Sequence, residues 1–320
     1  MSNVPLFDSY LMVDWSAASQ PARGKDSIWL CHMRRDGRAL RTLAVENLAT
    51  RHEARQRLLS LLDTERGAGR AVLAGFDFAF GYPSGLAQRL QLPDPPWRSM
   101  WDLLADRMKD EADNSNNRFA VAAALNERIS GGPAPFWGCP SAAAHPSLET
   151  RHHRRHEALG LAERRLADAR IRGPQPVWKL AYPGSVGSQV LTGIPVLRYL
   201  RDHGDLAAAT WIWPFETGLR PLARADTEGR ILLAKIYPSL VPALPRPGEV
   251  RDACQVRAIA RHFAALDAAG GLAPLFAGDP TLSDAERRRV EGEESWILGV
   301  TGASEAATRY AYLRDPEEIY

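Results

Sequence analysis

The sequence predicts an α/β fold. Three observations carry that reading. A meander of short strand patterns comes first, an amphipathic helix follows it, and a nearly all-apolar segment at residues 71–76 then reads as a central strand. The composition agrees: 45% of the 320 residues are hydrophobic and 24% charged, which argues against disorder along the whole chain and against a coiled coil.

Residues 10–14 form a short apolar run that ends in the carboxylate of Asp14. Residues 27–32 read as a second strand, and Arg35-Asp36-Gly37 as the turn of a hairpin into 39–45. Leu58, Leu59, Leu61 and Leu62 give residues 53–62 one apolar face. Residues 71–80 read as one strand with Asp77 inside it, closed by Gly81-Tyr82-Pro83.

Between about 93 and 176 the pattern changes. Residues 97–108 and 119–129 predict helices, 131–146 a loop rich in Gly, Pro and small residues, and 156–169 a third, arginine-rich helix. The expectation is a single domain over 1–320 with a helical insertion at 93–176, its arginines solvated on a lid beside the sheet. Residues 185–200 suggest a helix capped by Ser185, although Gly193 and Pro195 count against it. Strands are expected at 209–215 and 231–237, and helices at 251–269 and 283–290, the latter capped by Ser283. Residues 296–300 read as a final strand or a buried turn.

Whole-chain properties bound the function. The formal charge is only +2, so no global field favours nucleic acid, although arginines concentrate between Arg151 and Arg172. Cys31, Cys139 and Cys254 lack paired ligand spacing, which disfavours disulfides and structural zinc and fits a reducing compartment. With no signal-peptide pattern and no apolar stretch of bilayer length, the expected location is cytoplasmic.

The candidate chemistry lies on carboxylates at strand ends. Asp14 follows the first strand, where a capping or turn role is the plain alternative. Asp77 lies in Gly75-Phe76-Asp77-Phe78-Ala79, and alternation puts it beside small residues, with the phenylalanines on the opposite face. Neighbouring strand-end carboxylates can share Mg²⁺ or Mn²⁺, which prefer oxygen ligands. Glu216 and Asp252 are the best further acids, though Asp252 also suits an ordinary first helical turn and Glu216 a turn. Lys179 and Ser185, in a glycine-containing approach to a helix, are candidates for phosphate binding, as are Arg154 and Arg155. The Gly-Lys-Ser/Thr ending of a Walker loop is absent. His152, His153 and His156 read as part of a solvated basic helix rather than a metal site, and Cys139 as packing.

Several short segments, in order, resemble the bacterial family catalogued as domain of unknown function 429. They are Val13-Asp14-Trp15-Ser16-Ala17, Gly75-Phe76-Asp77-Phe78-Ala79-Phe80-Gly81-Tyr82-Pro83, Ala181-Tyr182-Pro183-Gly184-Ser185-Val186-Gly187 and Trp213-Pro214-Phe215-Glu216-Thr217-Gly218. Ile236-Tyr237-Pro238-Ser239-Leu240, Asp252-Ala253 and Glu294-Ser295-Trp296-Ile297-Leu298-Gly299-Val300 complete the set.

The resemblance implies a ribonuclease H-like fold with a mixed five-stranded sheet. It also implies divalent metal on Asp14, Asp77 and Asp252. One departure is Lys235, where the family often has an acid; its charge would compete with a cation. The function expected is metal-dependent phosphodiester hydrolysis on nucleic acid or nucleotide, with Glu216 as accessory. Two rivals are a nucleotide phosphotransferase of the actin-like branch, where Trp15 replaces an expected glycine, and a binding or assembly protein using exposed Trp97, Trp101 and Trp137.

Overall fold

The computed structural model describes residues 4–151, 156–182 and 184–302. Strand β1 (Ser9–Asp14) lies within a sheet of six strands rather than the five expected. Strands β2 (Ile28–Asp36) and β3 (Ala39–Leu48) form the antiparallel meander read from the sequence, turning at Gly37 with φ 59°. Strand β4 (Val72–Phe76) runs parallel to β1, with Val13 opposite Phe76. Strand β5 (Thr210–Ile212) is a short edge strand, and β6 (Ile231–Lys235) inserts between β5 and β4, parallel to both. The order is β3-β2-β1-β4-β6-β5.

Alternation along the central strands supplies two cores. Leu11, Val13, Ala74, Phe76, Ile231 and Leu233 join one apolar cluster; Tyr10, Met12, Leu73, Leu232 and Ala234 join the other. Burial on both faces is why these strands read as continuous apolar runs.

Helix α1 (Arg51–Gly67) starts at Thr50, whose hydroxyl accepts the Glu53 amide. Helices α2 (Pro96–Arg107) and α3 (Arg118–Ser130) are the two expected in the insertion. Their Trp101, Leu104 and Leu125 belong to the same cluster as Leu11 and Phe76, so this part of the segment packs on the sheet layer. Trp97 and Trp101 are buried, contrary to the exposed aromatic surface expected, and Trp97 stacks on Phe215 at 5.0 Å.

Helix α4 (Gly187–Asp202) continues through Pro195. It begins two residues after Ser185 without a side-chain cap, which corrects the predicted capping. Gly193 lets it approach β4's exit: a Cβ there would stand 2.4 Å from the Phe78 ring. Helix α5 (Arg251–Ala268) covers the other face. Its Asp267 carboxylate accepts the Leu6 and Phe7 amides and the Tyr10 hydroxyl, anchoring the chain that leads into β1.

The arginine-rich helix at 156–169 does not form. The described part of that stretch has only a 3-10 turn at Glu157–Leu159 and one helical turn at Leu166–Ala169. Arg165 is buried and paired with Asp168, the reverse of a solvated lid. The loop at 131–146 is likewise pinned: Asn126 accepts the Phe136 amide and donates to its carbonyl. Ser283 caps Asp284–Arg289 as expected, and 296–300 is a buried turn.

Candidate functional site

Asp14 is the last residue of β1, and Asp77 is the first residue beyond β4 rather than inside it. Because these strands are parallel neighbours, both carboxylates emerge at the same end of the sheet. The Asp77 amide continues the ladder to the Val13 carbonyl at 3.2 Å, and the Trp15 amide donates to Asp77 Oδ1 at 2.9 Å. The Asp14 and Asp77 carboxyls lie within interacting distance of each other, and Asp77 is among the causes that raise Asp14.

The Phe76, Phe78 and Phe80 rings pack against one another in tilted pairs at 5.8–6.2 Å. The third adjacent strand contributes Lys235, the last residue of β6. It is buried, and its ammonium donates to the Asp77 carbonyl.

These residues line a cleft of about 130 Å³ together with Gln189, Tyr237 and Gln255. The Arg165–Asp168 pair also reaches it, with Arg165 Nη2 2.7 Å from Asp168 Oδ1. Gln189 is held by its amide nitrogen on the Trp15 carbonyl at 2.6 Å.

The electrostatics follow from removal from water. Asp14 is pushed well above the usual carboxylate range by burial, then by the charge and hydrogen bond of Asp77 and the charge of Asp252; Lys235 opposes this. Asp77 is raised by burial, opposed by Lys235 and by hydrogen bonds from Asp14 and the Trp15 amide. Burial pulls Lys235 down to about 8, although Asp77, Asp168 and Asp14 favour its charged form. Two carboxyls and one ammonium thus share a poorly solvated sheet end.

A comparison with protein-family models, with curated proteins and with solved structures finds no match to this chain. The site is therefore argued from its own geometry.

The other predicted residues divide. Asp252 lies in the first turn of α5, close enough for its charge to act on Asp14, but its Oδ2 accepts the Asp26 amide at 2.9 Å. Among the described residues no three His, Cys, Asp or Glu side chains gather into a metal-holding group, so Asp252 does not complete the expected triad. Among the described residues Asp14 and Asp77 are two adjacent hard oxygen donors, the ligand type that Mg²⁺ and Mn²⁺ prefer, with no third such side chain gathered beside them.

Glu216 does not line the cleft. It binds Arg201 Nη2 at 2.6 Å and the Ile212 amide at 2.8 Å, bracing the exit of β5. Lys179 and Ser185 are also absent from the lining; the Lys179 carbonyl accepts the Gly187 amide, and the Ser185 amide donates to the Tyr182 carbonyl. Arg154 and Arg155 lie outside the described residues, as do His152 and His153.

Sequence reasoning placed Lys235 only as a departure from a family pattern. A lysine closing Ile231-Leu232-Leu233-Ala234 and preceding Ile236 was the available signal, since a cation in an apolar run needs a partner. Gln189, Gln255 and the Arg165–Asp168 pair carried none; they reach the cleft only through tertiary packing.

Proposed function

We propose that this chain is a ribonuclease H-like, metal-dependent phosphodiester hydrolase acting in the cleft at the ends of β1, β4 and β6. One observation carries the reading: Asp14 and Asp77 meet side by side at the ends of parallel neighbours, with Lys235 on the next strand. The antiparallel β3-β2-β1 meander followed by parallel strands supports the fold assignment. The cleft has room for a phosphate and water rather than a whole nucleotide, which suits a backbone phosphodiester with its bases outside.

In this mechanism Asp14 and Asp77 would hold a single Mg²⁺ or Mn²⁺, which would supply Lewis acidity toward water and positive charge for the phosphoryl oxygens. Asp77, fixed by the Trp15 amide, would orient the attacking water and take its proton as the water oxygen bonds to phosphorus and the P–O bond to the leaving oxygen breaks, that oxygen taking a proton from solvent. Lys235 supplies positive charge to a non-bridging oxygen, and Gln189 and Gln255 offer amide donors at the cleft wall. Cleavage of single- and double-stranded DNA, RNA and a nucleotide diester, with Mg²⁺ or Mn²⁺ and with chelator, tests this. Metal-dependent cleavage abolished by Asp77→Asn is expected; turnover that survives both chelator and Asp77→Asn overturns it.

A second reading is a non-catalytic binding protein, and Lys235 favours it. An ammonium among the carboxyls gives them an internal counter-charge, so the cluster can serve as a fold determinant. Mn²⁺ calorimetry separates the two, because this reading predicts no binding. The actin-like alternative lacks its second core sheet among the described residues.

A further inference from the structure

A second cavity, of about 400 Å³, opens between the first turn of α1, the end of α2 and the middle of α4. It is separate in its lining from the carboxylate cleft and lies within the size range of small-molecule sites. Its lining combines apolar Ala105, Met108, Pro195 and Val196 with polar Arg51, His52, Arg55, Asp110 and Arg198.

Most of those charges are committed. Arg51 makes a two-pronged pair with Asp110, Nε and Nη2 each at 2.6 Å from a carboxylate oxygen, and spends its remaining donors on the Ser16, Ala18 and Asn114 carbonyls. Arg198 is held by Asp102 and Asp202. Arg55 differs. Its Nε is buried without a hydrogen-bond partner, and among the described residues no carboxylate pairs with it. Its guanidinium lies 4.7 Å from the centroid of the Tyr199 ring, and Nη2 is 3.3 Å from His52 Nδ1.

A guanidinium fixed by an aromatic face, beside an imidazole and without a counter-ion, is built to receive an anion. The apolar residues of the lining suit a ligand with a carbon-rich body. We infer that this cavity binds a small organic phosphate of about mononucleotide size, its phosphate on Arg55 and His52 and its body against Met108, Pro195 and Val196. The cavity adjoins the chain that leaves β1: Thr192, on its lining, accepts the Trp15 indole N–H at 3.3 Å, and Arg51 binds the Ser16 and Ala18 carbonyls.

The test is calorimetry with inorganic phosphate and with adenosine monophosphate on the full chain. Wild type should bind both, the nucleotide at least tenfold more tightly. Arg55→Ala should weaken both at least tenfold with an unchanged circular dichroism spectrum, and Arg55→Lys should recover part of the loss. Asp77→Asn should leave both affinities unchanged, which separates this site from the proposed hydrolase centre. No binding by wild type, equal binding by a folded Arg55→Ala, or a loss in Asp77→Asn matching that in Arg55→Ala would each overturn the inference. Equal affinity for phosphate and nucleotide would overturn the role of the apolar residues.

Discussion

The Trp15 backbone amide donates to Asp77 Oδ1 at 2.9 Å, binding the exit of one strand to the carboxylate at the exit of its neighbour. The same tryptophan gives its indole N–H to Thr192 and its carbonyl to Gln189, so α4 is joined to the pair as well. Asp77 is therefore tied through one carboxylate oxygen to the backbone that follows Asp14. Pre-organisation of that kind suits a group that must meet a cation or a water in one geometry.

Asp77→Asn keeps the shape of this arrangement and removes a charge. With Asn at the position, the mutual repulsion of two carboxyls disappears, so the metal-free melting temperature should hold or rise by a few degrees. Mn²⁺ affinity should fall at least tenfold. Calorimetry and thermal melts with and without Mn²⁺ check both halves; equal Mn²⁺ affinity in the two proteins removes Asp77 from the ligand set.

Gly81 controls how the chain leaves the site. A Cβ built on it would stand 1.9 Å from the Glu293 carbonyl oxygen, a backbone atom that cannot rotate away. Neighbouring Ser84 and Gly85 amides are bound by Glu294 and Glu293, which locks the two segments together. Gly81→Ala should cost about 3 kcal/mol by overpacking, read by urea unfolding. A loss under about 1 kcal/mol would mean that the Glu293 segment yields easily.

Legibility from sequence followed the range of the interaction. The meander, α1, α5 and the convergence of Asp14 with Asp77 were readable because each rests on local periodicity or on the pairing of strands whose ends are marked. The stretch at 156–169 was misread because arginine is a good helix former, yet Arg165 turns inward to Asp168 and the Glu294 carbonyl, a partner 129 residues away. Glu216 looked like a site acid because an acid after a strand and before Thr-Gly invites that reading. Its actual partner, Arg201, lies on α4, and no local pattern announces the pair. β5 was predicted longer than it is and β6's place between β5 and β4 was unreadable, since both are decided by which edge the returning chain meets.

The buried Arg165–Asp168 pair should behave as a unit. Both side chains are almost wholly inaccessible, with two short contacts at 2.7 and 2.9 Å. Removing Asp168 alone strands a guanidinium at the cleft wall, so Asp168→Ala should cost about 3–5 kcal/mol. Replacing both, as Arg165→Met with Asp168→Leu, should recover most of that loss because no buried charge is left unpaired. Chemical denaturation of the three variants gives the coupling directly, and simple additivity would show that the pair is not one.

Lys235 makes the sharpest prediction, because stability and function should move in opposite directions. In the metal-free chain its ammonium is pulled down from the usual lysine range to about 8, a net result in which burial outweighs the attraction of Asp77, Asp168 and Asp14. A depressed folded-state value means that the unfolded chain takes the proton first as pH falls. Stability from this residue is therefore present above about 10.5 and lost as pH falls through about 8. Lys235→Met removes the cost of burying that charge. With chelator present, the variant should exceed wild type by about 1–3 kcal/mol at pH 7, and the gain should vanish toward pH 10.5. Denaturation curves across that range read the difference; a gain independent of pH would trace it to packing rather than charge. If the ammonium serves a phosphoryl oxygen, the same variant should lose cleavage at pH 7 while it gains stability. Retained cleavage in a stabilised Lys235→Met would confine the lysine to the fold, and a loss of both would mean that its hydrogen bond to the Asp77 carbonyl outweighs the desolvation of its charge.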